Sequence, residues 1–164
     1  MLSRLWPLAL LLTAMVANAD EALPPVTLYS PSVCLACIDY AEHLRSNGFT
    51  VTVKAGEDMA AVKRRLKVPK HLQAEPTATV GRYFVEGHVP AEDIKELLRE
   101  KRQARGLAVP GLPLGAPGRE FSSPTCDTAC TMLDGDTGQG RARRELYDTL
   151  LVKPDGDTSI WARH

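Results

Sequence analysis

The 164-residue sequence contains no Walker-type glycine loop, no GxGxxG dinucleotide fingerprint, no HExxH and no GxSxG. Phosphate cradles, zinc-protease helices and serine-hydrolase elbows need those residues at those spacings, so these classes are set aside and no organic cofactor is expected. There is no charge surplus either: 20 Lys and Arg face 20 Asp and Glu. A balanced chain has no long-range pull towards nucleic acid or an anionic bilayer, and neither is expected as a partner. No internal repeat and no long low-complexity tract is present, which argues against a solenoid or a disordered linker.

Long apolar runs are missing as well. The longest, Leu5 to Val16, has twelve residues including Pro7, whereas a spanning helix needs roughly 20. No stable membrane anchor is therefore expected. Arg4 precedes the run and Ala17-Asn18-Ala19 follows it, the charge, apolar core and small-x-small order of a secretory signal peptide cleaved before Asp20. Residues 1–19 are read as that signal, which leaves 145 of the 164 residues, enough for one domain with its own core. A monomer is expected.

Cysteine is scarce but placed. All four, Cys34, Cys37, Cys126 and Cys130, follow the cleavage site, so they would meet an oxidising, extracytoplasmic compartment that allows disulfides. Three pairings are open. A Cys34–Cys126 link would close a long loop and give ~4.6 kcal/mol, against ~2 kcal/mol for a four-residue CxxC ring. Short rings are poor staples, and both local pairs, CxxC and CxxxC, shift the reading towards thiol exchange or soft-metal binding.

The periodicities supply the elements. Val26 to Tyr29 reads as a strand, and Ser30-Pro31-Ser32 as a turn with a candidate N-cap. A helix then runs to about Asn47, with Cys37, Tyr40, Ala41 and Leu44 inward and Asn47-Gly48 as its stop. Phe49 to Val53 alternates as a second strand; Glu57 to Leu66 forms a second helix with Met59, Val62 and Leu66 inward. Thr77 to Val80 and Tyr83 to Val85 flank Gly81-Arg82 as a hairpin, and Pro90 opens a third helix with Glu92 and Asp93 in its first turn. The order is βαβαββα over residues 20–105. Residues 106–118, rich in Gly and Pro, are expected to lie over the domain as an ordered irregular segment, 122–140 to form an exposed insertion, and Leu146 to Trp161 to close as a hairpin around Lys153 to Asp157. Segment 106–164 is read as packed on the same domain.

A CxxC opening the first helix of βαβαββα, with Pro76-Thr77 opening the third strand, resembles the thioredoxin and glutaredoxin fold, in which the matching proline is cis and faces the dithiol. The fold class expected is therefore a thioredoxin-like α/β three-layer domain with a C-terminal β-hairpin extension. More narrowly, Val26 to Pro31, Glu86-Gly87-His88-Val89-Pro90, Gly106 to Gly111 with Pro113, Gly115 and Pro117, and the terminal Tyr147-Asp148 hairpin resemble one predicted metal-binding family. It includes the CopG-type periplasmic copper-resistance proteins. The resemblance covers about residues 25–120 and 145–164, and implies a periplasmic location and copper or copper-handling periplasmic proteins as partners. Family members are similar in a Cys-x-Cys-Cys motif at the first helix and a Cys-His pair before the third strand, thought to serve copper. Here Ala36 stands where the middle cysteine would be, and Glu75 and Pro76 stand where Cys-His would be.

Two chemistries follow for the remaining dithiol. Helix N-terminal N–H groups lower a thiol pKa, so Cys34 is the expected nucleophile or first ligand and Cys37 the resolving thiol, with protein thiols as partners. Alternatively two thiolates three residues apart clamp Cu(I), a soft ion that favours sulfur. Cys126, Cys130 and Met132 form a CxxxCxM triplet, either soft ligands folded towards the CxxC or a small disulfide stiffening a loop. His88 is either a ligand or proton donor near the site, or a hydrogen-bonded packing residue; Pro76 is expected to present backbone to a bound thiol. His43 and His71 are expected to be exposed. Copper(I) handling in resistance or homeostasis is the first functional reading, thiol-disulfide oxidoreductase the second, and an interaction domain with an inert disulfide the third.

Overall fold

The computed structural model describes residues 22–120 and 144–164. The expected signal peptide and the insertion carrying Cys126, Cys130 and Met132 lie outside the described residues. Within them, no helix is long and apolar enough to cross a membrane.

Seven strands form one mixed sheet in the order β2-β1-β3-β4-β5-β6-β7. Its members are β1 (Val26–Ser30), β2 (Val51–Ala55), β3 (Thr77–Val80), β4 (Tyr83–Glu86), β5 (Gly106–Ala108), β6 (Asp148–Val152) and β7 (Thr158–Arg163). β1 runs parallel to β2 and β4 parallel to β5, while every other neighbouring pair is antiparallel. Three helices, α1 (Leu35–Ser46), α2 (Met59–Leu66) and α3 (Ala91–Glu100), interleave with the first strands, and a short 3-10 turn covers Lys70–Leu72. The mixed α/β class and the βαβαββα order over β1 to α3 are present.

Strand period separates the two faces. Val26 and Leu28 share a side with Ala78, Val80, Tyr83, Val85 and Leu107, and these pack on Cys37, Tyr40, Ala41 and Leu44 of α1 and on Ile94 and Leu97 of α3. Phe84, Ala108 and Val152 point the other way and meet Leu66, Val68 and Leu72 at the end of α2. Leu28, Leu44 and Leu97 are fully buried, each contributing about 1.5–3 kcal/mol of transfer free energy. Tyr40 buries its ring at no polar cost, because its hydroxyl donates to the Val89 carbonyl at 2.8 Å.

Several expectations are corrected. The N-cap of α1 is Cys34, not a residue of Ser30-Pro31-Ser32. Strand β2 starts at Val51 rather than Phe49, which is buried beside the helix stop. Segment 106–118 is not irregular throughout: Gly106–Ala108 is a strand, too short to alternate and buried at every position. The C-terminal hairpin is continuous with the main sheet, since β5 pairs with β6. His43 is half-buried, its Nε2 accepting from the Ala91 N–H at 3.2 Å at the start of α3.

Candidate functional site

One end of the sheet collects the residues singled out in the sequence. β1 ends at Ser30, β3 begins at Thr77 in register with Tyr29, and β4 ends at Glu86 opposite Thr77. The loop 31–34, Pro76 and His88 therefore leave from the same edge, and β5, with Ala108 beside Glu86, delivers residues 109–119 to it.

Cys34 and Cys37 form a disulfide with their Cα atoms 5.2 Å apart, and among the described residues no cysteine is free. Cys34 takes extended backbone angles as the N-cap of α1, and its Sγ accepts from the Cys37 N–H at 3.2 Å. That N–H belongs to the first turn, whose donors have no helical partner. A thiolate at Cys34 would occupy the same position and gain from the helix dipole. The two sulfurs are inequivalent: Cys37 is 2% exposed in the core, whereas Cys34 is half-buried. Around them Val33 is 84% exposed, with Leu35 and Ile38 also open to solvent.

The Glu75–Pro76 peptide bond is cis. Its loop is held from below by a buried ionic cluster. Lys63 Nζ donates to Glu86 Oε1 at 2.6 Å, to Thr77 Oγ1 at 2.6 Å and to the Ala74 carbonyl. The Ala74 N–H returns to Glu86 Oε1 at 2.8 Å, and Thr77 Oγ1 donates to Glu86 Oε2 at 2.7 Å. Burial raises the Glu86 pKa, opposed by Lys63 and the hydrogen bonds; with Lys63 in direct contact the pair is ionic. Burial also raises that of Glu75, whose Oε2 has no partner. Sequence reasoning missed this cluster, although two signals were present. Lys63 sits four residues after the inward Met59, and Glu86 ends an otherwise apolar strand.

His88 is fully buried, with its ring edge-on to Tyr40 at 5.2 Å. Its Nδ1–H donates to the Pro117 carbonyl at 2.6 Å, because a carbonyl can only accept. That fixes the tautomer and leaves Nε2 as a bare lone pair without a partner. Burial lowers the His88 pKa to about 4, and the Arg119 guanidinium and His43 push the same way. Arg119 donates through Nη2 to the Leu112 carbonyl at 3.1 Å, while its Nε and Nη1 are buried without partners. Between His88 and Arg119 in sequence space lies Gly118, pressed on α1: a Cβ there would stand 2.7 Å from Tyr40 N and 2.8 Å from the Ala36 carbonyl. Glycine is required for that approach and for its φ of +79°.

Among the described residues no group of three His, Cys, Asp or Glu side chains could hold a metal ion. The structure places Cys34 and Cys37 together, with Pro76 and His88 at the same sheet end. An open cleft of about 600 Å³ lies farther along α1, lined by Asp39, Glu42, His43, Ser46, Gly118, Glu120 and Arg144.

Fold and disulfide together define the class, a mixed α/β protein presenting a cysteine pair at the head of its first helix. A family model described as a protein of unknown function, DUF411, matches residues 72–119. Two solved structures, titled copper resistance protein copG forms 1 and 2, are each 35% identical with a TM-score of 0.70, and each match covers 87% of this chain and 98% of theirs. At that identity and coverage the chain belongs to the CopG-like copper-resistance family. No curated protein matches.

Proposed function

We propose that this protein serves in periplasmic copper resistance or homeostasis by handling copper(I) through the reduced Cys34–Cys37 pair on a thioredoxin-like frame. Membership of the copper-resistance family supports the role, and one observation carries the chemistry: Cys34 Sγ receives the Cys37 N–H at the mouth of α1. Two thiolates with Cα atoms 5.2 Å apart suit a soft monovalent ion that accepts two-coordinate sulfur ligation. The pair is oxidised here, so loading begins when a partner dithiol opens it by thiol-disulfide exchange, giving up two electrons and two protons and leaving as its own disulfide. Binding then releases the thiol protons as both sulfurs coordinate. Copper is cargo in this scheme, and exchange with a partner disulfide, which is reduced to two thiols as the Cys34–Cys37 bond re-forms, discharges it. His88 Nε2, unpartnered and neutral, is the supporting donor at that end of the sheet, although the nearby Arg119 charge opposes a further cation there. Cys126, Cys130 and Met132 are the candidate soft ligands of the insertion.

The βαβαββα order, with α1 and α3 on one face, α2 on the other and Pro76 beside the CxxC loop, supports the thioredoxin-like frame. It also supports a second reading, a thiol-disulfide oxidoreductase. The half-buried Cys34 is the sulfur a partner thiolate reaches, and the buried Cys37 is the leaving thiolate.

The deciding experiment is Cu(I) competition titration of the fully reduced protein, with Cys34→Ser, Cys37→Ser and Cys126→Ser alongside. Loss of at least about a hundredfold in affinity, or about 2.7 kcal/mol, is expected for the first two. Wild-type affinity in Cys34→Ser would transfer the site to the oxidoreductase reading, whose own signature is turnover in insulin reduction that Cys34→Ser abolishes.

A further inference from the structure

The surface cations of this balanced chain differ in whether an acid stands beside them. On α1, α3 and β7 the cations sit beside acids: Arg45 with Glu42, Lys95 with Glu92, Arg99 with Glu96, Arg102 with Glu100 and Arg163 with Asp148. The α2 side is different. Lys54, Arg64, Arg65, Lys67 and Lys70 are all exposed, and among the described residues none has an ion pair. α2 itself, Met59–Leu66, contains no acidic residue; the acids nearest in sequence, Glu57 and the N-cap Asp58, precede its first turn, and Asp58 accepts from the Ala61 N–H. A helix dipole favours cations in the last turn, which accounts for Arg64 and Arg65 but not for Lys54 on β2 or for Lys70 beyond the helix.

Two of these cations have an aromatic partner. Lys54 Nζ lies 5.6 Å and Arg65 Cζ 5.3 Å from the centroid of the Tyr29 ring, so both positive heads share that ring as a partner. Tyr29 is five residues before Cys34, and five residues span at most about 18 Å. Ser30 ties the two regions together, its carbonyl accepting from the Gly56 and Glu57 N–H groups at the turn into α2. The cationic face thus borders the mouth of the dithiol, while Val33, Leu35 and Ile38 supply apolar surface around it.

We infer that the α2 face, Lys54 with Arg64, Arg65, Lys67 and Lys70, is a docking surface for an acidic protein partner whose thiol or copper ligands it brings to Cys34. Delivery to Cys34 rests on the dithiol reading above; the docking does not. Charge complementarity selects the partner. α2 itself exposes no large apolar side chain that could insert among lipids; the exposed Val33, Leu35 and Ile38 stand at the dithiol mouth, and the vesicle arm of the test decides whether they insert.

The test uses the full chain and two synthetic peptides of equal length with one cysteine each, one flanked by glutamates and one by lysines. Docking is read first by fluorescence anisotropy on the protein with Cys34, Cys37, Cys126 and Cys130 all changed to Ser, where no exchange occurs. The glutamate peptide should bind at least about tenfold tighter than the lysine peptide at about 20 mM salt, and the preference should collapse near 300 mM as the Debye length shortens. Exchange is read next on the oxidised Cys126→Ser/Cys130→Ser protein, in which the Cys34–Cys37 bond alone can react. The peptide thiolate attacks Cys34 Sγ, the Cys34–Cys37 bond breaks, and Cys37 leaves as a thiolate and takes up a proton. The peptide sulfur is oxidised into the mixed disulfide and Cys37 is reduced. Rates are normalised to each peptide's rate with a neutral dipyridyl disulfide, and the glutamate peptide should be about tenfold faster.

Both preferences should vanish in R64E/R65E/K67E/K70E and persist in R99E, a paired cation on α3; R64Q/R65Q serves if the reversal does not fold. Equal binding of the two peptides to the wild type, or a preference unchanged by reversal, overturns the proposal. So does reversal-sensitive binding to phosphatidylglycerol vesicles without a peptide preference, which gives the face to a membrane. Low-salt self-association that the reversal abolishes gives it to the acidic α1 cleft of a second copy. A peptide preference in binding with no exchange would leave the docking standing and remove the oxidoreductase reading, so that only copper could be delivered at Cys34.

Discussion

Lys63 and Glu86 are joined at 2.6 Å beneath the Ala74 to Thr77 loop, with side chains only 7% and 0% exposed. Every donor of the ammonium is used, on Ala74, Thr77 and Glu86. Removing one partner strands the other charge in the core. Lys63→Met should therefore cost about 3–5 kcal/mol in urea unfolding, whereas Lys63→Met/Glu86→Leu should recover much of that loss. A double variant as unstable as the single one would mean that the pair shapes the loop beyond its charge balance.

His88 gives the acid limb of stability. Its folded pKa of about 4 lies below the ordinary 6.5, so the unfolded chain binds the proton more readily and stability rises with pH across that interval. The contribution is complete above about pH 6.5 and lost as pH falls towards 4, with a ceiling of about 3 kcal/mol. Urea midpoints measured from pH 4 to 7 should steepen in the wild type and flatten in His88→Gln.

Glu75 has the opposite sign. Burial raises its pKa in the fold, so the native state keeps the proton longer and stability attributable to Glu75 falls as pH climbs from the ordinary carboxyl range through the raised value. Glu75→Gln, which stays neutral, should gain stability relative to wild type at pH 7 and match it near pH 4. The same urea series checks this.

In the reduced protein Cys34 should be alkylated at least about tenfold faster than Cys37. It is half-buried rather than sealed, and its thiolate is the one served by the Cys37 N–H. Timed iodoacetamide labelling with peptide mass spectrometry measures the ratio; equal rates would mean that the first turn of α1 opens when the disulfide is cut.

Gly118→Ala should cost about 2 kcal/mol or more, because the added carbon meets the backbone of α1 at Ala36 and Tyr40. The loss should be accompanied by faster amide exchange in residues 35–41. Thermal unfolding and hydrogen exchange separate this from a general loosening.

The sequence was most legible where one period acted alone. Cys37, Tyr40, Ala41 and Leu44 form a single helical stripe and are all buried; Pro90 and the Gly81-Arg82 turn mark their boundaries correctly. Legibility failed where long-range pairing decides. Gly106–Ala108 has no alternation to reveal it, since both of its neighbours, β4 and β6, are distant in sequence. Asp93 was read as a dipole-friendly first-turn acid, yet it is buried and accepts from Thr149 Oγ1 at 2.6 Å and His164 Nε2 at 2.9 Å. Lys63 and Glu86 were hidden because charge argues for surface unless its partner is known. The cysteine pair was visible from spacing, but its cap geometry was not: the turn residues before it offered conventional hydroxyl caps, and the sulfur took that place.

β5 has one further consequence. Within the sheet, three buried residues join the β6–β7 hairpin to the cysteine-bearing half, and off the sheet Asp93 of α3 adds its bonds to Thr149 and His164. Strain or a packing defect introduced at Leu107 would therefore be transmitted in both directions at once. It would reach the hairpin through Leu151 and the edge below Cys34 through Val85 and Glu86, making this short strand the hinge pin on which the two halves keep a common alignment.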